Sequence, residues 1–526
     1  MKYLFLIFSV FSFAFAKAQT VTFEIAAPDT VVYMARYLGN KQYYCDTANL
    51  VNGKVTYNAA KHAPGLYMIL MPNGKAFDFV IDNKEVVKMK VGDMNQPNET
   101  MTVDKSVNNK LFYDYMAYMR SKRSEGQAIG EKMKVEEEKI KEDSTLKSQK
   151  DVYKEELKKI NQDVINYQKD LVEKYPTLFI GLMIRMSMDV ELPEHPRDAD
   201  GNITDSNFVF HYYVNHYWDN VDLKDPRTVN TPVFHNKLDR YFSTKGVLQI
   251  PDTVAVYASR LIEQTNMIDQ NNKVFQYVLH HITNKYETSP IMGMDKVFCY
   301  MANRYYCPPN NYAYWMTEEN TKKVCERAEK VCRNSPGVAS IPLILPDTTE
   351  KKWYGTYEID AEYTILYFWD PNCGHCKKVT PKLQTLYEKK FQERNVEVYA
   401  VGKGTGDEFA KWKKFIRDNN LTFINVGLTD SIYNLAIDST QVGLQLLLSK
   451  YTTLQSLNYA DTYDVYSTPR IYILDKNKVI LYKQISIGQL EEIIDKLTGH
   501  ASDPKLFPLT DAANGDNPPD EEEDTH

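Results

Sequence analysis

The chain has 526 residues, of which 43% are hydrophobic and 25% charged, which fits an ordinary globular protein of about three domains and is too long for one core. Its 38 tyrosines against 22 glycines suit packed helices and strands better than low-complexity linkers. The net charge of −7 is carried wholly by residues 501–526, where eight acids face the single Lys505, so the rest of the chain is neutral and has no footprint for nucleic acid or an anionic membrane surface.

The first eighteen residues read as a cleavable signal peptide. Lys2 supplies the positive charge, Leu4 to Phe15 the apolar run, and Ala16-Lys17-Ala18 the cleavage site, which leaves Gln19 as the mature N-terminus. The apolar run is about a dozen residues, short of the roughly 20 that span a bilayer. No cysteine follows the site, so no lipid anchor is expected, and no other run is long enough to span. A periplasmic protein without a membrane span is expected, in a compartment where disulfides persist.

Residues 19–103 read as an antiparallel β-sandwich. Alternation marks strands at Val21–Ile25, Val31–Met34 and Phe77–Ile81, and Asn52-Gly53 and Asn73-Gly74 supply two tight hairpin turns. Residues 104–335 read as an irregular α-helical bundle. Leu157, Ile160, Val164, Tyr167 and Leu171 step by three and four, and Ser121 to Lys150 should hold one helix and a turn. Pro193, Pro196, Pro226, Pro251 and Pro308-Pro309 break the later helices, and Ser335-Pro336-Gly337 marks the next boundary. His211 and His216 are five apart, the wrong spacing for two ligands on one helical face. Asp198-Ala199-Asp200-Gly201-Asn202 reads as a polar turn, because a calcium loop aligned on Gly201 would begin at Pro196 and end at Asn207.

Residues 336–500 alternate strand and helix, an α/β pattern. Strands are expected at Thr364–Trp369, Val396–Val401 and Phe423–Val426, with a closing hairpin of Ile471–Leu474 and Val479–Tyr482. Helices are expected over Cys373–Phe391, Asp407–Asn419 and through Ile493 and Leu497. Residues 501–526 form an acidic tail, expected to be disordered.

The chemistry is expected at Asp370-Pro371-Asn372-Cys373-Gly374-His375-Cys376, where a buried strand passes into a helix. The first cysteine then sits where unpaired backbone N–H groups and the helix dipole favour a thiolate. Cys373 becomes the attacking sulfur, and Cys376, one turn inward, resolves the mixed disulfide. His375, with Gly374 the intervening pair, would tune the couple toward oxidation by stabilising the thiolate, as would Lys377 and Lys378, while Asp370 opposes them. A zinc site would need a second close pair of ligands, and the other cysteines offer none, so neither metal nor cofactor is expected. Among Cys45, Cys299, Cys307, Cys325 and Cys332, the seven-residue spacing keeps Cys325 and Cys332 from bonding to each other along a straight helix. Cys299 and Cys307 either pair with one of them each or stay as buried thiols, and an odd count leaves at least one cysteine free.

At these residues the chain resembles the thioredoxin superfamily, specifically the TlpA/ResA-like thiol–disulfide oxidoreductases of bacterial envelopes. Leu366-Tyr367-Phe368-Trp369, the Cys373–Cys376 pair, Pro381 within the following helix and Ser467-Thr468-Pro469 carry the resemblance. It implies a thioredoxin-like fold over residues 338–499, a cis-proline loop facing the disulfide, and Thr468, Pro469 and Trp369 as substrate contacts. It further implies protein thiols and disulfides as substrates, and a reductase fed by a membrane electron donor. An oxidase or isomerase, or a non-catalytic docking protein using the upstream modules, are the competing readings. Two features depart from the family. Tyr367 stands where thioredoxin has a buried acid, and the insertion at about 427–460 is long. The two upstream modules resemble uncharacterised β-rich and helical modules that precede such domains in secreted proteins.

Overall fold

The computed structural model describes residues 19–82, 85–142, 150–269, 272–289 and 291–509. The expected signal peptide, and the acid run beyond residue 509, lie outside them. Among the described residues no helix is long and apolar enough to cross a membrane. The chain forms two compact units, one of residues up to Leu248 with Ser259–Val278, the other of Gln249–Ala258 with residues from Leu279 onward. The helical segment expected at 104–335 is therefore divided between them.

The first unit opens with eight strands: β1 Thr20–Ile25, β2 Thr30–Leu38, β3 Lys41–Leu50, β4 Lys54–Asn58, β5 Gly65–Leu70, β6 Ala76–Ile81, β7 Val87–Val91 and β8 Met101–Lys105. They make two four-stranded sheets, ordered β4-β1-β7-β8 and β3-β2-β5-β6. The alternation read from the sequence is the burial pattern: Val21, Phe23 and Ile25 point inward, and Phe23 meets Phe77 and Phe79 edge-on at 5.2 and 4.9 Å. The sandwich is antiparallel except where β1 and β7 run parallel, a pairing of distant strands that no local pattern announces.

The two Asn-Gly turns differ. Asn52 and Gly53 both take positive φ, 51° and 72°, in a two-residue hairpin between β3 and β4. At the second, only Gly74 does (φ 81°), and Met71 N–H bonds to the Lys75 carbonyl at 2.9 Å, a longer loop with a single left-handed residue. The Asn73 side chain instead accepts the Lys75 N–H at 3.1 Å, so it turns the chain with its carboxamide rather than its backbone.

Helices Val107–Glu142 and Lys150–Lys174 pair through Tyr118 and Tyr167, 4.1 Å between rings, and through Lys122 and Asp163 at 3.2 Å. The seam becomes buried only at its end, at Gln168 and Leu171. His216 turns to Asp219 at 2.7 Å, and the Asp198 carboxylate accepts the N–H groups of Asp200 and Asn202 at 3.0 and 2.8 Å, closing the polar turn on itself.

In the second unit a short pair, β9 Ile344–Pro346 and β10 Trp353–Gly355, precedes the main sheet. That sheet contains β11 Tyr363–Trp369, β12 Val396–Gly402, β13 Ile424–Val426, β14 Arg470–Leu474 and β15 Ile480–Lys483, ordered β13-β12-β11-β14-β15. Strands β11 to β13 are parallel and the last two antiparallel, the expected closing hairpin. β11 is central, and every residue from Thr364 to Trp369 is buried. Ile365, Tyr367 and Trp369 face the helices Gly374–Leu386 and Ile487–Leu497. Leu366 and Phe368 face the insertion, whose Ile432, Leu447 and Leu457 cover that side.

Four of the five uncertain cysteines pair here, Cys299 with Cys332 and Cys307 with Cys325. Cys45 remains a half-buried free thiol at a bulge in β3.

The tail expected to be disordered from residue 501 is held at its start. The Glu491 carboxylate, fully buried, accepts the N–H groups of Leu506 and Phe507 at 2.7 and 2.8 Å. Lys390 reaches Glu491 at 2.5 Å, Asp495 at 3.0 Å and the Pro504 carbonyl at 3.1 Å, while Arg394 bonds to Asp503 at 2.7 Å. Two buried carboxylates face these cations, so removing one cation strands a charge in the interior. Lys390→Met should cost about 3–5 kcal/mol in urea unfolding of the C-terminal domain. Lys414→Met, which removes an exposed pair with Asp418, should cost less than about 1 kcal/mol.

Candidate active site around Cys373 and Cys376

The central strand ends at Trp369 and hands the chain to a turn in which the Asp370 side chain accepts the Asn372 N–H at 2.7 Å and the Asp370 carbonyl accepts the Cys373 N–H at 3.1 Å. Cys373 is then the N-cap of the Gly374–Leu386 helix, its sulfur accepting the Cys376 N–H at 3.4 Å. A cap sulfur occupies the place of a cap oxygen, facing donors the helix cannot satisfy itself. The Asp370 N–H points to the Cys376 sulfur at 3.5 Å. Pro381 lies inside the helix, and both cysteines are free thiols, Cys373 half-buried and Cys376 fully buried.

Across the sulfurs lies Thr468, joined to Pro469 by a cis peptide, with its carbonyl 3.2 Å from the Cys373 Sγ. Ser467 is fixed by Arg470, whose guanidinium donates to its hydroxyl at 2.9 Å. Residues 95 apart in sequence thus meet at one sulfur.

Burial pushes the Cys373 thiol up, but the Cys376 N–H and thiol, the Thr468 hydroxyl and the His375 N–H together outweigh it and bring Cys373 below its ordinary value. Burial dominates at Cys376 and pushes it up to about 12. The two sulfurs are one helical turn apart and differ in environment, so Cys373 gives up its proton more readily than Cys376.

His375 contributes through its backbone N–H, where the sequence pointed to its imidazole. Gly374 is exposed, and a Cβ there would meet nothing within 4 Å. Trp369, expected among the substrate contacts, is 1% exposed and packs on Phe415 at 5.0 Å between ring centres. Its side chain is buried in the core on the helix-facing side of the sheet, and the residue also borders the cavity beside Thr468. Tyr367 occupies the position of the missing acid, with its hydroxyl 2.7 Å from that of Thr380. Burial raises it well above the usual phenol range, so it cannot serve as a base.

The structure adds a charged border that motif reading missed. Glu408 accepts from the Asn372 carboxamide at 3.2 Å and pairs with Lys403 at 3.3 Å, and Lys403 reaches Asp370 at 3.5 Å. The only sequence signal was a polar loop after the second parallel strand. Beside it a cavity of about 520 Å³ runs from Thr468 to the insertion, walled by Phe368, Tyr433, Leu457, Tyr459 and Tyr466.

The sequence pattern of the AhpC/TSA family matches residues 340–483. That match takes in Cys373, Cys376 and the Thr468–Pro469 loop. A separate domain family of unknown function, DUF5106, matches residues 145–334. Among solved structures, a domain of a possible thiol-disulfide isomerase from Cytophaga hutchinsonii is 33% identical over 32% of this chain and 95% of its own, with a TM-score of 0.24. A thioredoxin-like protein from Bacteroides caccae is 18% identical over 58% of this chain and 98% of its own, with a TM-score of 0.41. A thiol:disulfide interchange protein from Bacteroides sp. is 19% identical over 32% and 93%, with a TM-score of 0.24. No curated protein matches the chain. The AhpC/TSA-matched segment folds as a thioredoxin-like α/β domain around the sheet β13-β12-β11-β14-β15.

The asymmetry of the two sulfurs sets a pH dependence. Cys373 should be alkylated by iodoacetamide with a midpoint lower than the same cysteine shows in the urea-unfolded chain, its rate falling about tenfold for each unit below that midpoint. Cys376 should stay unlabelled in the folded protein throughout. Peptide mapping of the alkylated chain reads both.

Proposed function

We propose that the protein reduces disulfides of polypeptide substrates through Cys373 and Cys376. The Cys373 thiolate attacks one sulfur of a substrate disulfide, that S–S bond breaks, and the other substrate sulfur leaves as a thiolate. Cys376 then attacks the Cys373 sulfur, closing the internal disulfide and releasing the second substrate sulfur, while its proton passes to a departing thiolate. The substrate gains two electrons and the protein loses two. Thr468 and Pro469 hold the substrate backbone along the loop opposite Cys373. The carrying observation is the Cys373 sulfur placed between first-turn N–H donors and the Thr468 carbonyl at 3.2 Å.

The reductase direction rests on the resemblance to TlpA/ResA-like proteins, which also supplies the envelope setting: export by the signal segment, a periplasmic site of action and a membrane electron donor to restore the dithiol. A couple near the roughly −270 mV of thioredoxin supports reduction, and one near the roughly −120 mV of strong oxidants excludes it. Cys376→Ala should trap substrates as mixed disulfides on Cys373, seen as reductant-sensitive bands on non-reducing gels. Cys373→Ser should trap none and abolish insulin reduction, and unchanged activity in that variant would sink the proposal.

A further inference from the structure

Thr468 must face Cys373, yet nothing in the strand it precedes dictates where the loop before it runs. That loop is gripped from outside the thioredoxin-like sheet. The helix Glu318–Cys332 lies in the same compact unit, upstream of the main sheet in sequence. The helix and its C-cap residue turn three cations toward residues 461–466. Arg327 bonds to Asp464, Lys330 bonds to Asp461, and Arg333 donates to the Asp461 carbonyl at 3.1 Å. Asn334, just past the helix, donates to the Thr462 carbonyl at 2.8 Å.

Arg327 has the most consequential of these contacts. Asp464 sits at φ 57°, the left-handed region that L-residues enter at a cost, and it is there that the chain reverses toward Thr468. Arg327 holds the carboxylate of that residue and also lies over the ring of Tyr466 at 5.3 Å, where Tyr466 walls the cavity beside Thr468. Glu287 fixes the guanidinium from the other side at 3.1 Å. The helix that carries Arg327 is itself tied at Cys325 to Cys307 and at Cys332 to Cys299, so the support is covalently braced on both sides of the arginine.

We propose that Arg327 is a positioning residue of the redox site: through Asp464 and Tyr466 it sets the 461–468 loop so that Thr468 faces Cys373. The disulfide-braced helix is then a working part of the site rather than a neighbouring module. The proposal rests on the dithiol function above only where substrate turnover is read. The acidity of Cys373, which depends partly on Thr468, reads the loop position independently.

The test uses the full chain with Cys373 and Cys376 reduced and the two bracing disulfides intact by mass. Arg327→Met and Asp464→Asn, the latter keeping a residue that tolerates the left-handed region, are compared with the parent. In both, the midpoint of Cys373 alkylation against pH should rise by about half a unit or more, as donors are lost from the thiolate. KM for a protein disulfide should rise several-fold with kcat changed less. Arg327→Lys, which keeps a cation beside Asp464, Glu287 and Tyr466, should stay closer to the parent in both readings. Folded single variants with an unchanged midpoint and KM would overturn the proposal. So would loss of the folded near-ultraviolet signal in both single variants, because the contact would then be structural. A parent protein that alkylates normally but reduces nothing would defeat the proposed function and leave this inference standing on the alkylation profile.

Discussion

The site depends on a contest at one sulfur between burial and hydrogen-bond donation. Half-burial of Cys373 removes water that would solvate a thiolate, and only the donors of the first helical turn and of Thr468 restore what is lost. Those donors exist because the helix begins at Gly374, leaving its early N–H groups without carbonyl partners. Cys376, one turn further in, has the burial without enough compensation, and so remains protonated. The same local geometry therefore produces two thiols of different character from two identical residues.

That geometry needs rigid supports on both sides. On one side, the central strand is buried from Thr364 to Trp369 and places Cys373 just past its exit with little freedom. On the other, the loop carrying Thr468 has no ladder of its own before Arg470, and it is held by side chains from the braced helix and by Arg470 on Ser467. A strand is positioned by many shared backbone bonds, whereas a loop is positioned by a few specific contacts. The cations of the Glu318–Cys332 helix supply those contacts, which ties a segment within the DUF5106 match to the redox domain that follows it.

The buried ion cluster at Glu491 and Asp495 acts by the same logic far from the sulfurs. Carboxylates in an interior must be answered by cations and N–H donors, and Lys390, Arg394, Leu506 and Phe507 answer them. Residues 503–507 are ordered for this reason, although their composition read as tail.

Local chemistry made part of this legible in advance. Alternation over Val21–Ile25, the Asn52-Gly53 turn, the apolar run into Trp369 and the Cys-x-x-Cys at a helix start are short-range patterns, and each is governed by contacts within a few residues. They specified the β-rich, helical and thioredoxin-like order of the chain and the two cysteines of the proposed site. Tertiary structure alone decided the parallel pairing of β1 with β7, the burial of Trp369 beneath the site, the pairing of Cys299 with Cys332 and Cys307 with Cys325, and the grip of Arg327 on Asp464. Each of these joins residues far apart in sequence, and which distant groups meet is set by how the whole chain packs. Cys373 and Cys376 could be found by reading along the chain, but the carbonyl that faces them, and the arginine that braces its loop, could only be found by folding it.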